Sequence, residues 1–261
     1  MKPLVLDVQN VGKGFGGLRA IDNICFQLFK GEILSVIGPN GAGKTTLFNC
    51  LSGFYQPDEG AILLGGKSIV GKKPYQICRL GMARTFQNIR LFDHLSLLDN
   101  VLVADSNHHR TSSWGILFRT TAHQTFQHLA KERAMKWLSF VGIEGDLRMK
   151  AGHLSYGNQR RLEIARALAT DPQVILLDEP GAGMNPSEIG GMIDLISKMR
   201  TIGVTVILIE HHMKVVMDIS DRILVLDHGE ELAVGTPEEI RKHPQVIEAY
   251  LGGAEEKGGG S

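Results

Sequence analysis

The run Gly38-Pro39-Asn40-Gly41-Ala42-Gly43-Lys44-Thr45-Thr46 holds the residue types that a polyphosphate site needs, in the order it needs them. Glycines let successive backbone N–H groups converge on phosphate oxygens without Cβ clashes, and a helix starting near Lys44 adds the positive end of its dipole. Lys44 is spaced to reach the β- and γ-phosphates, and the Thr45 hydroxyl to take a place around Mg²⁺. A second run, Val174-Ile175-Leu176-Leu177-Asp178-Glu179, is four apolar β-formers ending in two carboxylates. It sets acids at the C-terminal end of a buried strand, where α/β folds bind their ligands. Asp178 suits a Mg²⁺ shell, directly or through water, which leaves Glu179 as general base for an attacking water. Either carboxylate alone is equally a plain strand-end charge. Downstream of a phosphate loop, the pair points to hydrolysis of a nucleoside triphosphate.

A third run, Leu154-Ser155-Tyr156-Gly157-Asn158-Gln159, precedes a helical pattern that continues through Leu168. Ser155 is a good N-cap, so this is a second helix start able to receive an anion. Leu162, Ile164, Ala165 and Leu168 form the buried stripe, with Arg160, Arg161 and Arg166 elsewhere on the helix.

These residues have to be carried by a sheet. Strand candidates are Leu4–Val8, Ile33–Ile37, Val174–Leu177, Val204–Ile209 and Ile223–Leu226. Several are nearly pure Ile, Leu and Val, as in parallel strands buried on both faces. Ile24–Leu28 and a turn at Lys30-Gly31 suggest an antiparallel hairpin near the N-terminus. Between about Pro74 and Phe140 no strongly apolar strand is evident and helical periodicity takes over, with Phe126, Leu129, Ala130, Trp137, Leu138 and Val141 on one face. The expected fold is α/β, a mostly parallel sheet with an N-terminal antiparallel β part and an inserted helical subdomain. The polar, His-bearing segment Asp105–Thr121 reads as an exposed loop, and the Gly-rich end 252–261 as a disordered tail.

Composition narrows the function classes. Lys+Arg and Asp+Glu both number 28, giving zero formal net charge, which argues against a nucleic-acid partner held by a basic surface. No apolar run is long enough for a membrane span, and the first residues lack the apolar stretch of a signal peptide. Cys25, Cys50 and Cys78 form no CxxC pair, so neither a disulfide framework nor a zinc site is expected, and a reduced cytosolic compartment is the default. His108, His109, His123 and His128 lack a complementary Cys or carboxylate cluster and read as surface residues.

The phosphate loop, the Leu154–Gln159 signature and the strand ending in Asp178-Glu179 together resemble the nucleotide-binding subunit of ATP-binding-cassette (ABC) transporters, from about Leu4 to Leu251. The resemblance implies a P-loop NTPase core of about 1–86 and 172–251, with the helical subdomain at about 87–171. It also implies that two such domains sandwich two ATP molecules head to tail, each touching the phosphate loop of one subunit and Ser155 and Gly157 of the other. Gln87, in Ala83-Arg84-Thr85-Phe86-Gln87, matches the glutamine that touches Mg²⁺ and the attacking water. His211, at the end of Val206–Glu210, matches the switch histidine on the γ-phosphate, and Phe15 matches the aromatic that stacks on adenine. The chain departs from the family pattern at Tyr156 and Asn158 in the signature, and at Asn185 in the loop linking the two sites, where aspartate is usual.

The segment between Lys44 and Ser155 is too short for the long coiled coil of chromosome-maintenance and DNA-repair relatives. Ala83–Phe92, Phe15–Ala20 and the ending Gly235–Ile240 resemble the larger ATPase subunit of the branched-chain amino-acid importer. That likeness implies a second, non-identical ATPase subunit (or a homodimer in isolation), two integral-membrane permeases, indirectly an extracytoplasmic binding protein, and a peripheral place on the cytoplasmic face of the membrane. Urea and amide importers and the ATPase of lipopolysaccharide export share much of this pattern. A soluble ABC ATPase that remodels proteins is the rival from another class. Phe86, Ile89, Leu91, Phe92, Leu95, Leu97 and Leu98 form an apolar cluster beside Gln87, part of it core and the rest free to receive a permease.

Overall fold

The computed structural model describes residues 2–105 and 121–255. The chain runs β1 (Leu4–Phe15), β2 (Leu18–Phe29), β3 (Ile33–Ile37), α1 (Lys44–Leu51), β4 (Glu59–Leu64), β5 (Lys67–Ser68), α2 (Pro74–Arg79) and β6 (Met82–Arg84). It continues through α3 (Leu97–Asp105), α4 (Thr121–Phe140), α5 (Tyr156–Leu168), β7 (Val174–Asp178), α6 (Pro186–Thr201), β8 (Thr205–Ile209) and α7 (Met213–Ile219). It closes with β9 (Arg222–Asp227), β10 (Glu230–Gly235), α8 (Pro237–Lys242) and α9 (Pro244–Glu255).

The strands form two sheets. One is antiparallel, in the order β2-β1-β4-β5; the other has the order β10-β9-β3-β8-β7-β6. In the second sheet β9, β3, β8, β7 and β6 are parallel, and β10 joins its edge antiparallel to β9. Every residue of β3, β7 and β8 is buried, which is why these strands read as unbroken apolar runs rather than alternating ones. Successive side chains point to opposite faces. Leu34, Val36, Leu176, Ile207 and Ile209 pack with α1 and the antiparallel sheet. Ile33, Ile175, Leu177, Val206 and Leu208 pack with the helical layer of α3 to α6. The phosphate loop and both strand-end carboxylates thus leave one edge of a sheet covered on both sides.

The N-terminal hairpin exists, but its turn is at Gly16-Gly17 and not at Lys30-Gly31. Both glycines have positive φ, 54° and 88°, which a two-residue turn between right-twisted strands requires. Lys30-Gly31 instead carries the chain from one sheet into the other. A short strand, β6, lies within the stretch that periodicity marks as helical; three residues are too few to show a pattern. On α4, Ala130, Ala134 and Leu138 are buried, as is Val141 just past its end, and Trp137 packs against the same core; of the expected face Leu129, 47% exposed, lies outside it. The side chain of Phe126 lies outside the described residues.

Asp105, the first residue of the segment expected to be an exposed loop, is buried at the end of α3. It accepts a two-pronged hydrogen bond from Arg133 Nε and Nη2, at 2.9 and 2.8 Å. Its last residue, Thr121, opens α4, and 106–120 between them lie outside the described residues, as do His108 and His109. Gly252–Glu255, assigned by composition to a tail, close α9, and 256–261 lie beyond the described residues. Among the described residues no helix is long and apolar enough to cross a membrane.

Candidate functional site

The phosphate loop joins β3 to α1, as its sequence context requires. Gly43 holds the N-cap position of α1 at φ 97°, where a Cβ would lie 2.6 Å from Ala20 O; at Gly38 a Cβ would lie 2.1 Å from Leu226 O. No other residue type fits either place. A cleft of about 320 Å³ lies over Asn40–Thr46 and is lined also by Arg19, Glu179, His211 and His228. Lys44 is buried, and its Nζ donates to Gly38 O at 2.7 Å and Pro39 O at 2.8 Å, bracing the loop from within. Burial lowers its pKa below the ordinary lysine value, and the nearby Glu179 charge partly restores it. Thr45 is exposed and Thr46 half-buried in the first turn of α1.

The two carboxylates at the end of β7 have different surroundings. Asp178 completes the strand, its side chain only 8% exposed, and Asp178 Oδ2 accepts from Arg84 Nη2 at 2.8 Å. Arg84 reaches it from the neighbouring β6 and also donates through Nη1 to Asn49 Oδ1 and Ser52 Oγ. The Phe48, Phe54 and Phe86 rings, all within 5.8 Å, surround its guanidinium. Glu179 leaves the strand with φ 47°, a left-handed conformation costing roughly 1–2 kcal/mol for a residue with a Cβ. Its N–H is held by Ile209 O at 3.0 Å. The bend turns the carboxylate sideways to meet two side chains remote in sequence. Glu179 Oε2 accepts from Gln87 Nε2 at 2.9 Å, and Oε1 lies 2.7 Å from His211 Nε2. Backbone strain of this kind gathers where a side chain must be aimed.

His211 follows β8, the strand next to β7, and its N–H is taken by the buried carboxylate of Glu210 at 2.8 Å. Glu210 Oε2 also lies 3.5 Å from His212 Nδ1. Lys44, Glu179 and His211 therefore meet at one cleft, and Gln87 reaches it through Glu179.

Ser155 stands exposed at the N-cap of α5, and its side chain makes no capping bond. Gly157 is buried in the first turn. Neither lines the cleft over the phosphate loop. Phe15 is 44% exposed at the end of β1, its ring 5.1 Å from Tyr55 in an edge contact; it does not line that cleft, whereas its hairpin partner Leu18 does. Asn185 caps α6: its Oδ1 accepts Glu188 N–H and Glu188 Oε2 accepts Asn185 N–H, both at 3.0 Å. Asparagine and aspartate cap about equally well, so this departure from the family pattern leaves the loop's geometry supported.

Two site-shaping arginines were not anticipated. Arg84 pairs with Asp178, and Arg160, expected away from the buried stripe, is among the most completely buried side chains. The readable signal for the second was the spacing Arg160, Glu163, Arg166, which puts three charged residues on one side of α5. His128 sits on the exposed side of α4, 3.5 Å from Glu132. Among the described residues, no three His, Cys, Asp or Glu side chains come together to hold a metal ion by themselves.

A family model described as ABC transporter matches residues 21–182, and one described as branched-chain amino acid ATP-binding cassette transporter matches residues 230–256. The chain is 47% identical over 255 residues to the high-affinity branched-chain amino acid transport ATP-binding protein LivG of Escherichia coli, covering 97% of this chain and 100% of that one. It is 48% identical to the corresponding protein BraF of Pseudomonas aeruginosa, covering 96% and 98%. A crystal structure of a nucleotide-free ATP-binding cassette from an ABC transporter superposes with a TM-score of 0.82 at 32% identity, covering 95% of this chain and 99% of that one.

Proposed function

The chain belongs to the ABC transporter family of ATP-hydrolysing subunits, and on that premise we propose that its hydrolysis energises the uptake of branched-chain amino acids through partner permeases. The observation that carries the reading is the seating of Glu179 between Gln87 and His211 beside the phosphate loop, in a chain similar along nearly its whole length to ATP-binding proteins of that transport class.

ATP enters with its phosphates over Gly38–Thr46. Lys44 exchanges the carbonyls of Gly38 and Pro39 for the β- and γ-phosphate oxygens. The N–H groups of the loop and the start of α1 complete the cradle. Phe15 offers a ring face to the base. Thr45, Asp178 and Gln87 supply hard oxygen donors of the kind Mg²⁺ takes alongside phosphate, and the ion would neutralise charge on the β- and γ-phosphates. Arg84 keeps the Asp178 carboxylate oriented. Glu179 accepts a proton from water as the water oxygen bonds to the γ-phosphorus and the bond to the β–γ bridging oxygen breaks. Gln87 aligns that water, and His211 contacts the γ-phosphate.

Ser155 and Gly157 stand away from the chain's own phosphate cleft, which fits an anion site completed by a second ATP-binding subunit, non-identical in the native complex. Two integral-membrane permeases would hold the pair at the cytoplasmic face of the membrane, with an extracytoplasmic binding protein delivering substrate.

Glu179→Gln keeps the hydrogen-bonding shape and removes the base. It is expected to retain ATP binding and lose roughly 10²–10⁴-fold in turnover; near-normal steady-state hydrolysis would remove Glu179 from that role. Tagged Glu179→Gln chain, recovered with ATP and Mg²⁺ from membranes of its own cell, should bring down two permeases and a second cassette. Recovery of itself alone, or of soluble proteins, would remove the transport reading and leave the ATPase.

A further inference from the structure

We propose that Arg160 is a positioning residue for Gln87, and that through it the start of α5 and the glutamine move as one body. Arg160 is 2% exposed, and its two terminal nitrogens donate to the backbone oxygens of consecutive residues, Nη1 to Phe86 O and Nη2 to Gln87 O. One turn on, Glu163 Oε1 accepts Phe86 N–H at 3.2 Å, and Glu163 also accepts the backbone N–H of Arg90. Another turn on, Arg166 Nη1 donates to Arg90 O. Glu163 Oε2 lies 3.1 Å from Arg160 Nη1 and balances its charge.

This charged rail on α5 therefore grips the main chain of 86–90 and leaves the Gln87 amide free to reach Glu179 Oε2. The same guanidinium lies 5.7 Å from the Tyr156 ring, with Nη2 3.4 Å from its hydroxyl. Tyr156 sits between Ser155 and Gly157, so a shift of that helix start is passed by one side chain to the backbone that aims Gln87. A planar fork is needed to bridge two successive carbonyls while keeping a carboxylate partner, which lysine cannot do. The arrangement is poor as mere packing, because Arg160 Nε is buried without a partner among the described residues.

The inference rests on the reading that Gln87 and Glu179 serve hydrolysis, and the test separates the two. Steady-state hydrolysis of Mg-ATP by the purified full chain is compared for wild type, Arg160→Lys, Gln87→Ala and the double variant. Arg160→Lys should lower kcat roughly tenfold with KM for ATP unchanged, and the double variant should be no slower than Gln87→Ala alone. Hydrogen exchange at the Phe86 and Arg90 amides should quicken in Arg160→Lys, and in Glu163→Gln should Arg160→Lys fail to fold. Losses that multiply in the double variant, a raised KM with kcat intact, or unchanged exchange at both amides would overturn the proposal. A wild-type chain that hydrolyses no ATP would count against the functional reading, and the exchange measurement alone would then decide the role of Arg160.

Discussion

Lys44 is a buried charge whose protonation is tied both to folding and to the phosphates it would meet. Its amine is held by two carbonyls, and burial lowers its pKa below the ordinary 10.5, with Glu179 opposing the shift. Between the lowered pKa and 10.5 the folded chain binds fewer protons than the unfolded chain. This group's contribution therefore makes stability rise with pH across that window. Phosphates beside Nζ favour the charged amine, so ATP binding takes up a proton above the lowered pKa, and affinity falls as pH climbs through it. Calorimetry in two buffers of different ionisation heat should show that uptake at alkaline pH. Lys44→Ala should show none and bind ATP far more weakly. Unchanged nucleotide affinity in that variant would contradict the phosphate-loop assignment.

Among the elements, α6 begins at the loop through which the family links its two nucleotide sites, and its start is secured by the reciprocal bonds of Asn185 and Glu188. Losing such a cap costs about 1 kcal/mol. Asn185→Ala is therefore expected to lower the melting temperature by roughly 2–4 °C, while Asn185→Asp should leave it nearly unchanged. A large drop in Asn185→Asp would mean that the amide is needed for more than capping. The adjacent ends of β7 and β8 work in the same local way: a positive φ at Glu179 and a buried Glu210 behind His211 bring two strand ends face to face.

For the whole molecule, the apolar cluster beside Gln87 divides as expected. Leu97 is buried, Leu91 and Leu98 pack against the helical core, and Phe92 and Leu95 are 46% and 37% exposed. A groove of about 830 Å³ lined by Phe54, Tyr75, Phe86, Leu91 and Phe92 opens there, next to the backbone that Arg160, Glu163 and Arg166 hold. We propose this as the place where a permease docks. Phe92→Ala and Leu95→Ala should each change stability by less than about 1 kcal/mol in thermal unfolding and lower the recovery of permeases with the tagged chain. Full recovery and full transport in both variants would exclude the groove from that contact.

Much of this was legible in linear order. The phosphate loop, the strand ending in Asp178-Glu179 and the helix start at Ser155 are local patterns, and fully buried strands write themselves as apolar runs. Gln87 and His211 were placed by family likeness, since no local spacing relates them to Glu179. Three things needed the folded chain. The hairpin turned at Gly16-Gly17 because strand twist selects the residues that accept positive φ. The α4 helix buried Ala130, Ala134 and Leu138 and left Leu129 outside, because its packing against the other helices, and not its own periodicity, fixes which edge of the apolar stripe is covered. Arg84 and Arg160 went inside because Asp178 and the carbonyls of Phe86 and Gln87 were there to receive them. A charge is tolerated in the interior only where long-range pairing supplies its partners, and those partners are adjacent only once the sheet and helices have packed.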